Sequence, residues 1–237
     1  MIASIVIPAL ATLLFVSPVH GQDPVKSALA SFLSTDPRTF ERNLSKIRRP
    51  SIDVRVKASA VSSFYEALPE NGEITALNDS SKRKVAALER VLRVHDRASA
   101  YDIKVITVQQ AYVGLYKRAI LLISEIALDV LDAEELQAMV AHEMAHEYVW
   151  ERWEAARETK DRSTLKELEL YCDGIAMITL QLIGVRQERF LDGLRNIVRF
   201  NVERFGEAAN DDSYPSLVER EKFAKVVAAW LAKTAVN

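Results

Sequence analysis

Residues 132–146 read DAEELQAMVAHEMAH, and the interpretation of the whole chain starts from this stretch. Asp132 followed by Glu135 is a capping-box pattern, which is typical of the first turn of a helix. Inside that helix His142 and His146 are four residues apart, so both side chains project from one face about one turn from each other. The stretch therefore predicts a helix whose two imidazoles can reach a single metal ion.

The residue after the first histidine, Glu143, suggests the chemistry. It is turned about 100° around the helix, so its carboxylate can reach a water on the metal without binding the metal itself. Zinc lowers the pKa of such a water to about 7, and Glu143 would accept its proton as the water attacks a peptide carbonyl. We therefore predict His142 and His146 as zinc ligands and Glu143 as general base. The alternative is an exposed acidic helix that happens to carry two histidines.

A catalytic zinc usually has three protein ligands and a water, so one ligand remains to be found. Glu169 and Asp173 are again four residues apart on one helix face, and Ala176 and Leu180 continue that face toward the core. Carboxylates on a packing face are costly unless they are compensated. One zinc per chain would compensate Glu169 directly, and Asp173 can accept the spare N–H of a liganding histidine. The alternative, a surface Glu and Asp at helical spacing, stays open.

Residues 118–146 together with 169–173 resemble the gluzincin metallopeptidases of family forty-eight. That family includes the CAAX prenyl proteases, the bacterial heat-shock membrane proteases and periplasmic quality-control proteases. It pairs a His-Glu-x-x-His helix with a downstream Glu-x-x-x-Asp helix. The resemblance implies a zincin-like fold, and it implies that the strand near 119–124 is the sheet edge that holds substrate as an added β-strand. By the same resemblance, zinc is assigned to His142, His146 and Glu169, the general base to Glu143 and a supporting role to Asp173.

A later segment, Ser213-Tyr214-Pro215-Ser216-Leu217 with Arg220, resembles the family's late His-Pro-Ser plus Arg element. Tyr214 stands where that element has histidine. We predict that Arg220 pairs with a carboxylate near the metal, with Asp173 as first choice, because Arg suits bidentate pairing. We predict that the Tyr214 phenol donates a hydrogen bond to the oxyanion formed during hydrolysis. A partly exposed tyrosine that packs on the helix at 186–205 is the alternative for Tyr214.

Other chemistry-bearing residues near the motif are interpreted as packing. Cys172 can bind zinc as a thiolate, but on its helix it points away from Glu169, and buried cysteine is common in cores. His95 lies on the apolar stripe of an earlier helix, which favours a core or boundary position. The aromatic residues after the motif are interpreted in the same way: Tyr148, Trp150 and Trp153.

The remaining sequence predicts an α+β class, mostly helical with a small sheet. Alternation and apolar runs predict strands at 102–108 and 118–124, with 111–116 as a candidate third. Helical spacing predicts helices at 26–34, 39–48, 57–67, 81–98, 133–158, 164–183, 186–205 and 216–233. Gly184 and Gly206 are helix stop signals, and Pro69 to Asp79 reads as a loop.

Residues 1–21 carry no charged side chain and contain an apolar run too short to span a bilayer. This pattern predicts a signal peptide that is cleaved after Gly21, and thus an exported protein, periplasmic or secreted. An uncleaved N-terminal anchor is the alternative. We divide the chain into this leader, a helical segment of unknown role at 22–75 and a zinc metallopeptidase domain at 76–237. No later apolar run predicts a transmembrane span.

Charge is distributed unevenly along the chain. Residues 26–118 carry 17 Lys and Arg against 10 Asp and Glu, whereas residues 125–173 carry 5 against 14. The net charge of −2 does not indicate a nucleic-acid-binding protein.

From the His142-Glu143-x-x-His146 motif and its candidate third ligand, we expect a zinc-dependent metalloendopeptidase that acts on protein or peptide substrates. The alternative is a catalytically weak or inactive domain of the same fold that acts as a chaperone-like or interaction module.

We expect the exported chain to begin at Gln22, because small or tolerated residues precede it and an uncharged apolar stretch precedes those. Intact mass measurement of protein recovered from its native compartment checks this. A chain that still begins at Met1 would favour the anchor instead.

Overall fold

The computed structural model of the protein describes residues 23–34, 54–67, 72–73, 76–98, 100–206 and 213–234. Its strands are β1 (Asp102–Ile106), β2 (Val113–Tyr116) and β3 (Ile120–Ser124). Its helices are α1 (Pro24–Leu33), α2 (Val54–Ala67), α3 (Asp79–Ala87), α4 (Glu89–Val94), α5 (Glu125–Val130), α6 (Ala133–Thr159), α7 (Arg162–Leu182), α8 (Glu188–Phe205) and α9 (Leu217–Thr234). The described part is thus mostly helical with a small three-stranded sheet, which confirms the α+β class.

Strand β3 is the centre of the sheet. It pairs in parallel with β1 and antiparallel with β2, and all five of its residues are buried. The expectation that residues 119–124 form the sheet edge is therefore wrong: β2 is an edge strand, and it contacts α6. The physical reason is that an uninterrupted apolar run such as ILLI suits a strand covered on both faces rather than one at an edge.

The two faces of β3 belong to different hydrophobic clusters, because successive side chains of a strand point to opposite sides. Leu121 and Ile123 join the main core with α6 and α7. Ile120 and Leu122 join a smaller cluster with Ala60 and Phe64 of α2 in the N-terminal part of the chain. The sheet is thereby held between the helical body on one side and α2 on the other.

Helix α6 begins as the sequence predicts. The Asp132 side chain accepts from the backbone N–H groups of Glu134 and Glu135, and the Glu135 carboxylate accepts from the Asp132 N–H at 2.9 Å, so the capping box is present. The helix runs for 27 residues and ends at Lys160, which has a φ of +55°. It packs against α7, α8, α3, α4 and β2, which places its middle turns inside the protein.

Helix α7 lies between α6 and a pair formed by α1 and α9. Phe32 of α1 is fully buried and meets the rings of Tyr171, Phe223 and Trp230 edge to face, at centroid distances of 5.4, 5.9 and 5.5 Å. The ring fits because Gly174 on α7 has no side chain there. The first described helix is consequently part of the same core as α7.

The basic segment at 81–98 is two helices rather than one, with Leu88 as the turn between α3 and α4. Two of its cations bind helix ends. Lys84 Nζ donates to the carbonyls of Leu128 and, at 2.7 Å, Leu131 at the end of α5, and an Arg90 guanidinium nitrogen donates to the Ile183 carbonyl that follows α7. Carbonyls in the last turn of a helix lack intrahelical partners, so these cations stabilise two helix C-termini.

The hairpin between β2 and β3 is fixed to α6 by a buried ion pair. Lys117 and Arg118 at its tip both have positive φ values, +47° and +55°. Arg118 donates two hydrogen bonds to Glu147, at 2.9 and 2.7 Å, and Arg97 approaches the same buried carboxylate at 3.3 Å. Bidentate pairing of this kind fixes orientation as well as contact. Because Glu147 directly follows His146 on α6, this ion pair holds the edge strand β2 next to the histidine motif.

His95 lies inside the protein, as the sequence predicts. Its Nδ1 is 2.8 Å from the Tyr148 hydroxyl and its Nε2 is 3.0 Å from the Thr179 hydroxyl. Both ring nitrogens are thus engaged by neighbouring hydroxyls.

Within the described ranges, no helix is both long and apolar enough to cross a membrane. The predicted signal peptide at 1–21 and the predicted helix at 39–48 lie outside the described residues.

Substituting Gly174→Ala should destabilise the protein. A Cβ at this position would lie 2.6 Å from the Phe32 Cζ, and the surrounding rings leave Phe32 no room to move. Overpacking costs about 1–3 kcal/mol, while the helix preference of alanine offsets about 1 kcal/mol. We expect the free energy of unfolding in urea to fall by about 1 kcal/mol.

The Phe32→Leu background supplies the control for this prediction. The smaller side chain leaves space, so adding Gly174→Ala there should cost nothing further or stabilise the helix. An equal loss in both backgrounds would show that the ring contact is not the cause.

Candidate metal centre

The three motif residues of α6 form one cluster. His142, Glu143 and His146 each place a potential ligand atom within 4.8 Å of the others. The two imidazole rings meet edge to face, with centroids 5.1 Å apart. This follows from the helix itself, because residues four apart lie one above the other on the same face. The structure therefore brings together the two nitrogens and the carboxylate that the sequence singles out.

Glu169 on α7 completes the set from the facing helix. Its Oε2 lies 3.2 Å from His142 Nε2 and its Oε1 lies 3.6 Å from His146 Nε2. Zinc binds imidazole nitrogen and carboxylate oxygen at about 2.0–2.2 Å, so neighbouring ligands of a tetrahedral zinc are about 3.4 Å apart. The two measured distances bracket that value. Glu169 therefore places one carboxylate oxygen near each Nε2 atom, and the three side chains are of the types that bind zinc.

Asp173, one turn further along α7, lies behind His142. Its Oδ1 is 2.9 Å from His142 Nδ1, although this contact lacks hydrogen-bond geometry, and its buried Oδ2 has no hydrogen-bond partner among the described residues. Arg220 of α9 donates Nη1 to Asp173 Oδ1 and Nη2 to Glu169 Oε2, the latter at 3.2 Å. The pairing of Arg220 with Asp173 predicted from the sequence is present, and Arg220 also holds Glu169.

The formal charges of this cluster do not balance. Glu143, Glu169 and Asp173 bring three carboxylates into the cluster, and Arg220 brings one guanidinium to them. Glu169 and Asp173 expose 2% and 0% of their surface. Buried carboxylates need hydrogen bonds, counter-charges or a metal ion. A divalent cation held by the two histidines and Glu169 would restore neutrality.

The pKa values of the two histidines move in opposite directions. For His142, burial works to lower the pKa, but the adjacent carboxylates of Asp173 and Glu169 outweigh it and raise the pKa to about 10. For His146, burial dominates and lowers the pKa to about 4. A proton on His142 therefore supplies part of the missing positive charge when no cation does so.

Glu143 faces the edge strand of the sheet. Its carboxylate accepts a hydrogen bond from the Leu115 backbone N–H, and burial raises its pKa to about 7. Tyr112 lies just before the same strand with 38% of its surface exposed, and desolvation of its hydroxyl together with the negative charge of Glu143 raises the pKa of the phenol to about 12. The candidate base thus contacts the backbone of β2 directly. The protonated phenol of Tyr112 lies close enough for the charge of Glu143 to affect its pKa.

Aromatic rings enclose the two histidines on their outer sides. Phe190 of α8 stacks on His142 at a centroid distance of 6.2 Å, and Trp153 meets His146 edge to face at 5.8 Å. Trp150 in turn stacks on Trp153 at 5.6 Å. These contacts fix the rings and limit water around them, so the tryptophans pack on the site as the sequence predicts.

Cys172 packs in the core as predicted, but it also contacts a histidine of the cluster. The residue is fully buried, and its Sγ lies 3.8 Å from His146 Nδ1, on the side of the ring opposite Glu169. Burial raises the pKa of the thiol well above its usual value, so the group is a neutral thiol. A neutral thiol suits an outer contact with the ring better than a zinc ligand, which must be deprotonated.

Tyr214 lies in the short segment before α9, and 49% of its surface is exposed. The neighbouring Pro215 is buried, so this segment is anchored next to Arg220's helix. The role of Tyr214 as a donor to an oxyanion stays a prediction.

Sequence reasoning missed three contacts of the site. The first is the Leu115 N–H on Glu143, the second is the Cys172 thiol beside His146 and the third is the Phe190 ring on His142. Each depends on which strand or helix lies opposite α6 rather than on spacing within one element. Only Leu115 left a weak signal in the sequence. Its short segment VGLY (113–116) is separated by a turn from the apolar run RAILLIS (118–124).

The sequence matches none of the known protein-family models, and no curated protein matches it. The resemblance to gluzincin metallopeptidases accordingly rests on the quoted motifs and stays a prediction from them. The chemistry of the site has to follow from the side chains themselves: two imidazoles, three carboxylates and one guanidinium, brought together from α6, α7 and α9.

Zinc binding at pH 8 should release at least one proton per ion, that of His142, and ionisation of a zinc-bound water would add to this number. At that pH His142, with a pKa of about 10, is protonated in the metal-free protein, whereas His146, with a pKa of about 4, is already neutral. Zinc must displace the proton from His142, so lowering the pH weakens binding about tenfold per unit. Calorimetric titration in buffers of different ionisation enthalpy measures the proton count.

Two variants test the source of that proton. Glu143→Gln keeps both imidazoles and should still release the His142 proton when zinc binds. His142→Gln should lose tight binding and proton release together. Tight binding without any proton release in the unaltered protein would contradict the assignment of the charge to His142.

Proposed function

We propose that this chain is a zinc-dependent endopeptidase with a zincin-like site, in which His142, His146 and Glu169 hold the metal. The observation that carries the proposal is the spacing of Glu169, 3.2 and 3.6 Å from the two Nε2 atoms, inside a cluster with more carboxylates than counter-charges. Without a metal ion, Glu169 and Asp173 are compensated by Arg220 and by a proton on His142, and a cation bound by the two histidines would take the place of that proton. Zinc, when bound, supplies a Lewis acid that polarises a carbonyl and acidifies water.

The protein's own residues supply the rest of the mechanism. Asp173 and Arg220 orient His142 and Glu169, since Arg220 binds both carboxylates and Asp173 lies against His142 Nδ1. Supports of this type fix ligand orientation and are worth about 10–100-fold in metal affinity or activity. The site is therefore built on three rigid helices rather than on loops.

Glu143 carries the proton. It accepts one from the attacking water and returns it to the amine that leaves when the peptide bond breaks. Burial raises the pKa of its carboxyl to about 7, which suits transfer in both directions near neutral pH. The Leu115 N–H holds the carboxylate in place and, as a donor to the charged form, limits how far burial raises the pKa.

The neighbouring edge strand favours a peptide substrate. Among the described strands, β2 pairs only with β3, and its Leu115 reaches the candidate base. An extended peptide that adds to this edge would form main-chain hydrogen bonds beside Glu143, which is a general mode of peptide recognition. Main-chain pairing does not depend on substrate side chains, so we propose extended segments of proteins or peptides as the substrate class.

The variant Glu143→Gln tests the proposal. The amide keeps the shape of the side chain but cannot accept a proton, so turnover on casein or a peptide library should fall by about 10²–10⁴-fold. Zinc content, measured by elemental analysis, should stay at one ion per chain. Chelation of the unaltered protein should abolish cleavage, and zinc should restore it.

Glu151→Gln is the matched control, because Glu151 lies on the same helix but is exposed. Its turnover should equal that of the unaltered chain. Retention of more than about a tenth of turnover in Glu143→Gln would remove Glu143 from the mechanism. A zinc-loaded chain that cleaves none of these substrates would contradict the proposed function.

A further inference from the structure

The backbone just before β2 shows which groups face the outer edge of the sheet. The Ser124 N–H donates to the Tyr112 carbonyl at 2.8 Å, and the Tyr112 N–H donates to the Ser124 hydroxyl at 2.9 Å. Both backbone groups of Tyr112 therefore point toward β3. In an antiparallel pair this orientation alternates along the strand, so the backbone groups of Ala111, Val113 and Leu115 point outward.

The two ends of this outward row are already occupied. At Leu115 the N–H donates to Glu143. At Ala111 the N–H donates to Asn201 Oδ1 at 2.9 Å, and the carbonyl accepts from Asn201 Nδ2 at 3.0 Å. The side-chain amide of Asn201, on α8, thus makes the same pair of hydrogen bonds that a neighbouring strand would make. In the part of the chain that the structure describes, no hydrogen bond is found at the outward groups of Val113.

The spacing sets how long an added strand can be. Residues in a strand advance about 3.4 Å each, so about 14 Å separates Ala111 from Leu115. In the antiparallel arrangement, which is the more stable per residue, a substrate residue opposite Leu115 is followed two residues later by one opposite Val113. The residue four positions later would meet the Asn201 amide instead of free backbone.

We propose that Asn201 is a specificity-determining residue that limits the substrate strand to about three residues beyond the one opposite Leu115. The inference rests on the proposed function, since it presumes that a peptide adds to β2. Substrates would be chains that end, or turn away from the sheet, within that distance on their C-terminal side. Asn201 acts by occupying the hydrogen-bonding groups of Ala111, without touching the reacting atoms.

The test measures binding rather than turnover. Fluorescein-labelled peptides of repeating Ala-Thr sequence, from four to ten residues long, are titrated into the zinc-loaded Glu143→Gln protein, and Kd is determined by anisotropy. Affinity should stop rising at a fixed length. In the added Asn201→Ala variant it should keep rising over about two further residues, by about tenfold for two new hydrogen bonds.

Two further measurements separate this effect from a loosened α8. Asn196 lies on α8, as Asn201 does, and Asn196→Ala removes its hydrogen bond of 3.1 Å to Glu135 of α6. This variant should leave the limiting length unchanged. Hydrogen exchange at the Ala111 amide should be slow in the protein with Asn201. In Asn201→Ala it should become fast and slow down again only with the longer peptides.

The outcomes divide cleanly. The same limiting length with and without Asn201, or equal lengthening in Asn196→Ala, overturns the role of Asn201 while leaving peptide binding intact. Absence of binding at every length in all variants overturns the proposed peptide substrate and this inference with it. A longer limit in Asn201→Ala alone, with the matching change in Ala111 exchange, supports both.

Discussion

The constraint on which the rest of the structure depends is the removal of Glu169 and Asp173 from water beside a third carboxylate, with one guanidinium to compensate them. Neither acid is stable in that position alone, because an uncompensated buried charge costs several kcal/mol. Arg220 has to arrive from α9, so the last helix must pack against α7. The same rule applies at Glu147, which is buried only because Arg97 and Arg118 reach it. At Glu147 the basic first half of the chain thus contacts its acidic middle.

The fold was predictable where the signal is local. The capping box at Asp132 and the positive φ of Gly184 and Gly206 mark helix ends that the sequence alone located. The position of β3 inside the sheet was not predicted, because strand order depends on which surfaces meet in three dimensions. The break at Leu88 was missed because the helical periodicity of the apolar residues continues across it.

The site follows the same division. His142, His146 and Glu143 lie on one helix, and Glu169 and Asp173 on another, so helical spacing was enough to group each set. That the two sets face each other was implied by a resemblance and by the cost of burying carboxylates, and the structure brings them within 3.2 Å. The contacts of the Leu115 N–H and of the Asn201 side-chain amide could not be predicted, because they depend on which elements lie beside β2 in the fold.

The position of Arg220 also has a consequence for how the protein is made. It lies 47 and 51 residues after Asp173 and Glu169, on the final helix of the described chain. As synthesis proceeds from the N-terminus, both histidines and both acids leave the ribosome before their arginine does. The pairing of both acids with Arg220 can therefore form only after residue 220 has been synthesised and α9 has packed against α7.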